Sequence, residues 1–357
     1  MSNTCLPWPT RPLPRTGHLL TTLGLGGAPL GNLYNAVSEA DSHATFDAAW
    51  AAGIRFFDTA PFYGYTLSEH RFGDALRAHP RDEWVLSTKV GRLLKPVRRH
   101  AAARMLAVGE TAWHEPLPFE VVCDYTAGAI RRSVEDSLQR LGIDHIELAL
   151  VHDIGRFQHG EQHAHYWSQL VDGGGFRALE TLKREGLIGA IGLGVNEWAV
   201  VLDAMQHIAL DCTLLAGRYT LLEQASLHPF LSACVQRGVG IIAGGPFNSG
   251  ILAAGTQGPS AVANFNYAAA PPEVVKRVAR LQAVCASFKV PLAAAALQFP
   301  LAHPAVVAVV PGARSAQELQ GIVGWMRHPI PPALWAALRE QGLLHADAPV
   351  PAADAPR

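Results

Sequence analysis

Three ionisable side chains, Asp58, Lys89 and His152, each follow a short apolar segment that is typical of a buried strand, and Tyr63 lies a few residues after Asp58. A phenol can give or take a proton, and a neighbouring ammonium lowers its pKa from about 10. The carboxylate of Asp58 could hold Lys89 charged and in place, and the imidazole could orient a substrate oxygen. These four residue types, each leaving the C-terminal end of a strand, predict a proton-transfer site and therefore an enzyme.

Predicted strands alternate with predicted helices along most of the chain. Short apolar runs predict strands at residues 19–25, 54–58, 84–89, 146–151, 187–193, 212–216, 239–243 and 306–310. Helical spacing of apolar residues predicts helices at residues 41–52, 68–78, 126–141, 176–185, 198–206, 226–237, 272–288 and 292–299. Strands that alternate with helices form a parallel sheet covered by helices. About eight such units in roughly 300 residues favour a single-domain (β/α)8 TIM barrel, whose active sites form at the C-terminal ends of the strands.

The two ends and two long loops fall outside this pattern. Residues 1–17 and 344–357 are rich in proline and alanine, and we expect a flexible N-terminal segment and a disordered C-terminal tail around a barrel at residues 18–343. Residues 91–125 and 248–271 are long connections for a compact domain. Because loops of this length often serve binding, we interpret them as walls of a substrate pocket and a clamp over a cofactor.

Composition excludes several classes of function. The chain has 357 residues, is 49% hydrophobic and 17% charged, and has a formal net charge of −1. Lysine and arginine form no extended cluster, so we expect no nucleic-acid or acidic-membrane partner. No apolar run reaches the roughly 20 residues of a membrane span. The proline-rich start lacks the apolar core of a signal peptide, and the five cysteines form no CxxC pair, which indicates reduced thiols in a cytoplasmic protein. We expect a monomer or a weak homo-oligomer.

Two motifs invite a functional interpretation that their context does not support. The glycine-rich residues 24–31 have the wrong spacing for a dinucleotide fingerprint, and Pro29 interrupts the segment that should begin a helix. A turn at a strand end is the favoured interpretation. His159, His163 and His165 suggest a metal cluster, but no carboxylates accompany them. We therefore favour a solvated loop and expect no metal site.

Phosphate groups of a cofactor could bind at two other places. Residues 244–252 follow a predicted strand and offer free backbone N–H groups. Residues 310–315 follow the last predicted strand and lead into a short helix that begins near Ala316. Barrels commonly bind phosphate at the N-terminus of such a helix.

The amino-acid sequence around the four ionisable residues resembles that of the aldo-keto reductases. Residues 57–64 read FDTAPFYG, residues 87–91 read STKVG, and residues 149–153 read ALVHD, and the resemblance runs from about residue 23 to about residue 321. It implies that Asp58, Tyr63, Lys89 and His152 are a catalytic tetrad and that NAD or NADP lies extended across the barrel mouth. The cofactor residues implied are Asn196, Gly244, Pro246, Phe247, Asn248, Gly250, Leu252, Pro311, Gly312, Arg314, Gln317 and Glu318. The substrate residues implied are His152, Arg92, Trp113 and Arg218.

The chain departs from the common family pattern around the nicotinamide. Many members have a Ser-Asn pair after the fifth strand, whereas this sequence has Gly194, Val195 and Asn196, so only Asn196 could supply the amide. Ala216 stands where the family usually has a glutamine, and Gly244 stands where an aromatic residue commonly stacks on the nicotinamide. Phe247 and Arg218 are candidate substitutes.

A closer resemblance is to the L-fucose and D-threo-aldose 1-dehydrogenase branch of the family. It lies in residues 62–73 (FYGYTLSEHRFG), 192–197 (GLGVNE) and 245–252 (GPFNSGIL). The resemblance implies oxidation of the anomeric carbon of a sugar such as L-fucose, L-galactose or D-arabinose to the lactone. In that reaction Tyr63, as a phenolate stabilised by Lys89, takes the C1 hydroxyl proton, and His152 holds the hydroxyl.

Three alternatives remain open at this stage. The same tetrad could oxidise a pyridoxal-type hemiacetal to its lactone, or reduce aldehydes and ketones generally. A third alternative is a non-catalytic nicotinamide-binding regulatory subunit, against which the intact tetrad counts. For the cofactor, Glu318 stands where NADP-preferring relatives have an arginine, and a carboxylate repels a 2′-phosphate. Arg314 favours that phosphate unless it stacks on adenine, and on balance we expect a moderate preference for NAD.

Overall fold

A computed structural model describes residues 8–98, 113–256 and 264–352. Eight of the strands in these residues form one parallel sheet. The described strands are β1 (Thr10–Pro12), β2 (Leu19–Thr21), β3 (Leu25–Gly26), β4 (Phe56–Asp58), β5 (Val85–Val90), β6 (Arg92–Pro96), β7 (Phe119–Cys123), β8 (Ile146–His152), β9 (Ile188–Val195), β10 (Cys212–Ala216), β11 (Gly240–Gly244), β12 (Asn264–Phe265), β13 (Ala268–Ala269) and β14 (Val306–Val310). The described α-helices are α1 (Glu39–Ala51), α2 (Leu67–Leu76), α3 (Ala127–Leu141), α4 (Arg156–His159), α5 (His163–Val171), α6 (Gly175–Arg184), α7 (Ala199–Ala204), α8 (Ser232–Arg237), α9 (Ile251–Ala254), α10 (Pro272–Ser287), α11 (Leu292–Gln298), α12 (Ala316–Met326) and α13 (Pro332–Glu340).

The large sheet closes into a barrel. Its strand order is β3-β4-β5-β8-β9-β10-β11-β14, so each strand pairs with the next barrel strand along the chain. Parallel bridges from Leu23 to Val309 and from Gly26 to Gly312 join the first and last strands. The predicted (β/α)8 barrel is therefore confirmed, and parallel strands place all their C-terminal ends at one mouth.

Apolar side chains fill the barrel below that mouth. The inner cluster consists of Leu13, Leu20, Phe56, Leu148, Leu150, Ala190, Cys212, Leu214, Ile242, Val307, Ala308 and Val310. A second, larger cluster lies between the strands and the surrounding helices. Close packing of this kind excludes water from the floor of the mouth and fixes the strand ends that carry the polar residues.

The structure differs from the expectation for the two ends of the chain. Residues 10–12 form β1, which pairs antiparallel with β2, and Leu13 is only 1% exposed. The segment predicted as one strand at residues 19–25 is therefore two, β2 in this hairpin and β3 in the barrel. In the predicted tail, Leu344 and Ala348 are buried, and the Ala348 carbonyl accepts a hydrogen bond from Arg339. Residues 1–7 and 353–357 of the two predicted segments lie outside the described residues.

Both long loops contain secondary structure that composition did not predict. The first contains the antiparallel hairpin β6–β7, and the second contains α9 and the small antiparallel hairpin β12–β13. Residues 99–112 and 257–263 of these loops lie outside the described residues. The helix predicted at residues 226–237 is regular only from Ser232, because His228 has an extended backbone.

Among the described residues, no single helix is both long and apolar enough to cross a bilayer. The helix pair Pro272–Ser287 and Leu292–Ala302 passes that test of length and composition, but it is bent by 101°. Core helices of soluble proteins pass the same test, and buried residues of both helices belong to the larger apolar cluster. The pair is weak evidence for a membrane span.

Candidate active site

Three strand ends and one turn bring the predicted tetrad together. Asp58 ends β4, Lys89 lies near the end of β5, His152 ends β8, and Tyr63 lies in the turn between β4 and α2. The Lys89 ammonium donates hydrogen bonds to both carboxylate oxygens of Asp58, at 3.0 and 2.9 Å, and to the Thr59 carbonyl at 2.9 Å. The two side chains are only 2% and 5% exposed. The Asp58 carboxylate therefore compensates the charge of a buried lysine that would otherwise be costly.

Tyr63 lies beside this ion pair without a hydrogen bond from it. The Lys89 Nζ atom is 4.7 Å from the centroid of the Tyr63 ring. Burial raises the pKa of Tyr63 well above 10.0, and the negative charges of Asp58 and Asp153 add to the rise while Arg92 opposes it. The net shift is therefore upward and not downward as expected, because burial outweighs the nearby positive charge. Tyr63 is accordingly a protonated phenol at neutral pH.

The turn that carries Tyr63 is held by close backbone contacts. Gly64 has a φ of +63°, and a Cβ atom on it would lie 2.5 Å from the Gly31 carbonyl oxygen. The Ser68 hydroxyl donates to the Gly27 carbonyl at 3.0 Å and hydrogen-bonds the Thr59 hydroxyl at 2.8 Å. The glycine-rich segment is therefore a strand-end turn that packs against the Tyr63 loop, as predicted.

His152 has an unused nitrogen. Its Nδ1 atom is buried, and no residue in the described part of the chain hydrogen-bonds it. Burial, with the positive charges of Arg92 and Lys89, lowers the pKa of His152 well below 6.5, so the imidazole is neutral at physiological pH. The Tyr125 hydroxyl donates to the His152 carbonyl at 2.8 Å and fixes the strand end. The unpartnered Nδ1 is itself buried, but His152 lines the cavity at the barrel mouth, and a neutral imidazole there is suited to hydrogen-bond a substrate oxygen.

Asp153 is a site residue that sequence reasoning did not assign. The Arg92 guanidinium donates to it at 2.8 Å, and these side chains are 3% and 11% exposed. The Asn196 amide donates to the other Asp153 oxygen at 3.1 Å. Arg92 Nε is buried without a hydrogen-bond partner among the residues described. The signal that could have found Asp153 was its place directly after His152, at the same strand end.

These groups surround a cavity of about 230 Å³ at the barrel mouth. Tyr63, Lys89 and His152 line it, whereas Asp58 lies behind Lys89 and acts through it. Four aromatic rings form much of the wall, namely those of Phe62, Trp113, Phe157 and Tyr267. The polar lining residues are Arg92, Asp153, Gln158 and Asn196. The small and aliphatic lining residues are Ala28, Leu33, Gly194, Val195, Leu214 and Ala216.

Comparison with known proteins agrees with this geometry. The family model described as "Aldo/keto reductase family" matches residues 22–342. This chain belongs to the aldo-keto reductase family. It is 47% identical to pyridoxal 4-dehydrogenase of Microbacterium luteolum, with 94% of this chain and 97% of the relative covered. It is 39% identical to D-threo-aldose 1-dehydrogenase of a Pseudomonas species, with 92% and 96% covered. The holo form of an aldo-keto reductase from Bacillus halodurans, 22% identical, shares the fold with a TM-score of 0.72 over 96% of this chain and 98% of that one.

This aldo-keto reductase is an NAD(P)-dependent oxidoreductase. Steric contacts explain why glycine stands at two of the positions expected near the nicotinamide. A Cβ atom on Gly194 would lie 3.1 Å from Lys89 Cε, so glycine leaves room for the lysine. A Cβ atom on Gly244 would lie 2.7 Å from Leu214 Cδ2, so Leu214 fills the space of a larger residue. Gly194 and Ala216 both line the cavity.

The aldo-keto reductase loop at residues 244–252 uses several predicted cofactor residues for its own folding. Asn248 donates to the Gly217 carbonyl at 3.0 Å and accepts from the Thr220 hydroxyl at 2.6 Å. Leu252 is fully buried, and Phe247 packs against Trp325 with centroids 5.8 Å apart. Phe247 is not a lining residue of the described cavity, so it does not replace the stacking aromatic. The expectation of several free N–H groups in this loop is not met, because the Gly250 N–H donates to the Phe247 carbonyl at 3.1 Å. The exposed backbone at Gly245, with φ of +54°, can still offer an N–H group to a pyrophosphate. Pro246 is buried beside Gly244, at the start of this loop.

In the segment after β14, too, some of the predicted cofactor residues hold the fold, and others remain available to a phosphate. Pro311 accepts a hydrogen bond from the Gly26 N–H at 2.9 Å, and a Cβ atom on Gly312 would lie 2.5 Å from Pro29 Cγ. Both residues therefore close the barrel. Ser315 caps α12, Gln317 is exposed, and the Arg314 side chain pairs with Glu318 at 2.9 Å through Nε. The N-terminus of α12 is a suitable place for a phosphate, and its two charged residues neutralise each other.

Arg218 is placed differently from the prediction. It is not among the described residues that line the cavity. Its guanidinium donates to the Asn196 carbonyl at 2.6 Å and to the Asn266 side chain at 2.7 Å, and it lies 5.4 Å from the Phe157 ring centroid. Arg218 therefore braces the rim, whereas Arg92 and Trp113 line the cavity as predicted.

Proposed function

We propose that this enzyme oxidises a cyclic hemiacetal to its lactone and that an aromatic hemiacetal of the pyridoxal type is preferred. The observation that carries this proposal is the aromatic wall around the tetrad. Phe62 and Trp113 lie edge to face with centroids 5.5 Å apart, and Tyr63 and Trp113 are 5.6 Å apart. Offset and edge-to-face contacts with a further ring each contribute about 0.5–1.5 kcal/mol beyond the area buried.

The tetrad supports this reaction through proton transfer. When it is bound, the oxidised nicotinamide cofactor accepts the hydride from the hemiacetal carbon. The hemiacetal hydroxyl gives its proton to the Tyr63 phenolate oxygen, and the electron pair of the broken O–H bond becomes the second bond of the lactone carbonyl as the hydride leaves the carbon. The His152 imidazole, which lines the cavity, would hold the hemiacetal oxygen in line, and the Lys89–Asp58 pair would keep its position beside Tyr63. Oxidation requires the phenolate of Tyr63, because only a deprotonated phenol can accept this proton. Since Tyr63 is a protonated phenol at neutral pH, it must first lose its own proton.

Two further observations favour the aromatic substrate over other hemiacetals. Arg92 lines the cavity, and a guanidinium N–H there can donate to the phenolic oxygen next to the aldehyde carbon of pyridoxal. The relative at 47% identity is named pyridoxal 4-dehydrogenase and matches almost along its whole length.

Oxidation of an aldose is the second candidate, and it was the first expectation from the sequence. The relative at 39% identity is a D-threo-aldose 1-dehydrogenase. Asn196, Gln158 and Asp153 line the cavity and could hydrogen-bond sugar hydroxyls. Both candidate substrates undergo the same hemiacetal chemistry at the same tetrad. The contacts that distinguish them are therefore those with the pocket walls.

A substrate panel separates these candidates. Purified enzyme is assayed with pyridoxal, L-fucose, L-galactose and D-arabinose, with NAD and NADP in turn, and the products are identified by mass spectrometry. We expect kcat/KM for pyridoxal to exceed that for each sugar by about tenfold or more, with a lactone as product, as one or two added ring contacts imply. A preference for a sugar would establish the second candidate. Absence of turnover with every hemiacetal would contradict both.

A further inference from the structure

The hairpin β12–β13 carries an aromatic residue to the active-site cavity from outside the barrel. Asn266 and Tyr267 form its turn, with φ of +49° and +64°. Two successive residues with positive φ are typical of a type I′ turn, in which asparagine is common and tyrosine is not. A tyrosine there costs conformational energy that an asparagine or glycine would save. This placement is therefore a feature that local backbone preference does not explain.

The tip of the hairpin is fixed at three points. The Tyr267 N–H donates to the Ser249 hydroxyl at 3.2 Å, and the Arg218 guanidinium donates to the Asn266 side chain at 2.7 Å. The Tyr267 hydroxyl donates to the Asn196 Oδ1 atom at 3.3 Å. Although 52% of the residue is exposed, Tyr267 lines the cavity, and its hydroxyl reaches Asn196 on the cavity wall.

This hydroxyl begins a chain of hydrogen bonds that reaches the tetrad. Asn196 accepts from Tyr267 and donates to Asp153 at 3.1 Å, and Asp153 accepts from Arg92 at 2.8 Å. Asp153 also lies 3.6 Å from His152 Nε2. Every member of the chain lines the same cavity. The hairpin tip is thereby connected to the polar groups that meet the substrate.

We propose that Tyr267 is a specificity-determining residue, whose ring forms the outer wall for a flat aromatic substrate and whose hydroxyl positions Asn196 and the Arg92–Asp153 pair. The inference rests on the proposed function, because it assumes a substrate seated beside Tyr63. Many family members have an aromatic residue at the position of Gly244. In this chain the hairpin would supply an aromatic surface to the cavity instead. The ring and the hydroxyl have separate roles, which two substitutions can separate.

The test compares Tyr267→Ala and Tyr267→Phe with the control Val235→Ala, an exposed residue on α8. Reduction of pyridine-4-carbaldehyde and of glyceraldehyde is measured, so the assay does not depend on pyridoxal being the natural substrate. Tyr267→Ala removes the hydroxyl and the ring together, so both KM values should rise by the same factor as in Tyr267→Phe. The KM for the aromatic aldehyde should rise roughly tenfold further, with kcat within about threefold, as loss of a stacking ring implies. Tyr267→Phe keeps the ring, so both KM values should rise together, by about two- to tenfold for a lost hydrogen bond.

Three results would overturn the inference, and a fourth would overturn the proposed function alone. Equal losses for both aldehydes in Tyr267→Ala, or unchanged kinetics, would show that the ring does not select the substrate. If the alanine variant does not fold, unchanged KM values in Tyr267→Phe would show that the hydroxyl positions nothing. If pyridoxal is not a substrate but the aromatic preference falls in Tyr267→Ala, the proposed function fails and the role of Tyr267 stands.

Discussion

At the scale of single residues, the catalytic geometry is an arrangement of charges around one phenol. Lys89 and Asp58 neutralise each other, Arg92 and Asp153 neutralise each other, and His152 is uncharged. Tyr63 lies between these groups with a raised pKa. It is therefore ready to donate a proton in reduction, and it must be deprotonated for oxidation.

Replacement of this phenol tests its role as acid and base. Tyr63→Phe removes the hydroxyl while keeping the ring that packs against Trp113. We expect turnover to fall by about 10²–10⁴, the usual contribution of general acid–base catalysis. Affinity for the dinucleotide, measured by fluorescence titration, should change little. Retention of most activity would assign Tyr63 a purely structural role.

The direction of the Tyr63 shift predicts the pH dependence of the two reaction directions. Because the pKa lies above 10.0, the phenolate fraction grows about tenfold for each pH unit below it. Oxidation should therefore still be rising at about pH 10, whereas reduction should stay nearly flat between about pH 7 and pH 9. His152 is already neutral across this range, so its titration should add no step.

Lys89→Met supplies the matching variant for the pH profile. It removes the positive charge and leaves the Asp58 carboxylate uncompensated beside Tyr63, so the oxidation profile should move to higher pH and its rates should fall. Profiles of kcat against pH for the wild type and the variant make the comparison. An unshifted profile in Lys89→Met would mean that the charge of Lys89 has no influence on the phenol.

Much of the residue-level site could be predicted, and the reason is local. Asp58, Tyr63, Lys89 and His152 follow apolar strand segments, and a barrel brings all such strand ends to one mouth. Tyr267 could not be predicted, because its approach to Asn196 depends on the path of a hairpin inside a long loop. The roles of Asn248 and Gly312 were also hidden, since only packing shows that they hold the backbone.

At the scale of elements, we propose that the helix after the last strand, α12, governs the choice of dinucleotide. Arg314 and Glu318 are one helical turn apart and pair with each other, so neither is free without breaking the other's contact. We propose that NAD is moderately preferred because Glu318 holds Arg314 away from a 2′-phosphate.

Glu318→Arg tests that proposal, with Gln320→Arg, at an exposed position on the same helix, as a control for added positive charge. The ratio of kcat/KM for NADP to that for NAD should rise by about tenfold in Glu318→Arg, as removal of a repulsive carboxylate and addition of a guanidinium imply. The control should change it by less than about threefold, and the KM for the organic substrate should stay the same. An equal rise in both variants would show that net charge, and not Glu318, sets the preference.

The hairpin β1–β2 is an element that the sequence pattern did not reveal, because its prolines and short strands are typical of an unstructured end. In the structure, Leu13 packs inside the barrel, and a Cβ atom on Gly240 would lie 2.6 Å from Leu13 Cδ1. Leu13→Ala should destabilise the protein by about 2–5 kcal/mol, as other buried Leu→Ala changes do. Leu19 is 56% exposed, so Leu19→Ala should lower the free energy of unfolding by less than about 0.5 kcal/mol. Urea denaturation of both variants is the measurement, and equal stabilities would show that the hairpin does not close the barrel.

At the scale of the whole molecule, the barrel separates stability from chemistry. Apolar layers and the N-terminal hairpin fill one end, while strand ends, the loops that follow them and the hairpins β6–β7 and β12–β13 surround the cavity at the other. The alternation of strands and helices in the sequence was enough to predict this division. The substrate was not predictable in the same way, because the cavity walls come from residues far apart in the chain, namely Phe62, Trp113, Phe157 and Tyr267.

In the proposed reaction the hydride leaves the hemiacetal carbon of the substrate. Isotopic labelling of that carbon is the most direct test. Pyridoxal that carries deuterium at its aldehyde carbon is incubated with the enzyme and the oxidised dinucleotide, and both products are examined by mass spectrometry. We predict that the deuterium moves to the nicotinamide and that the lactone carries none. Deuterium retained in the organic product, with an unlabelled reduced cofactor, would contradict the account.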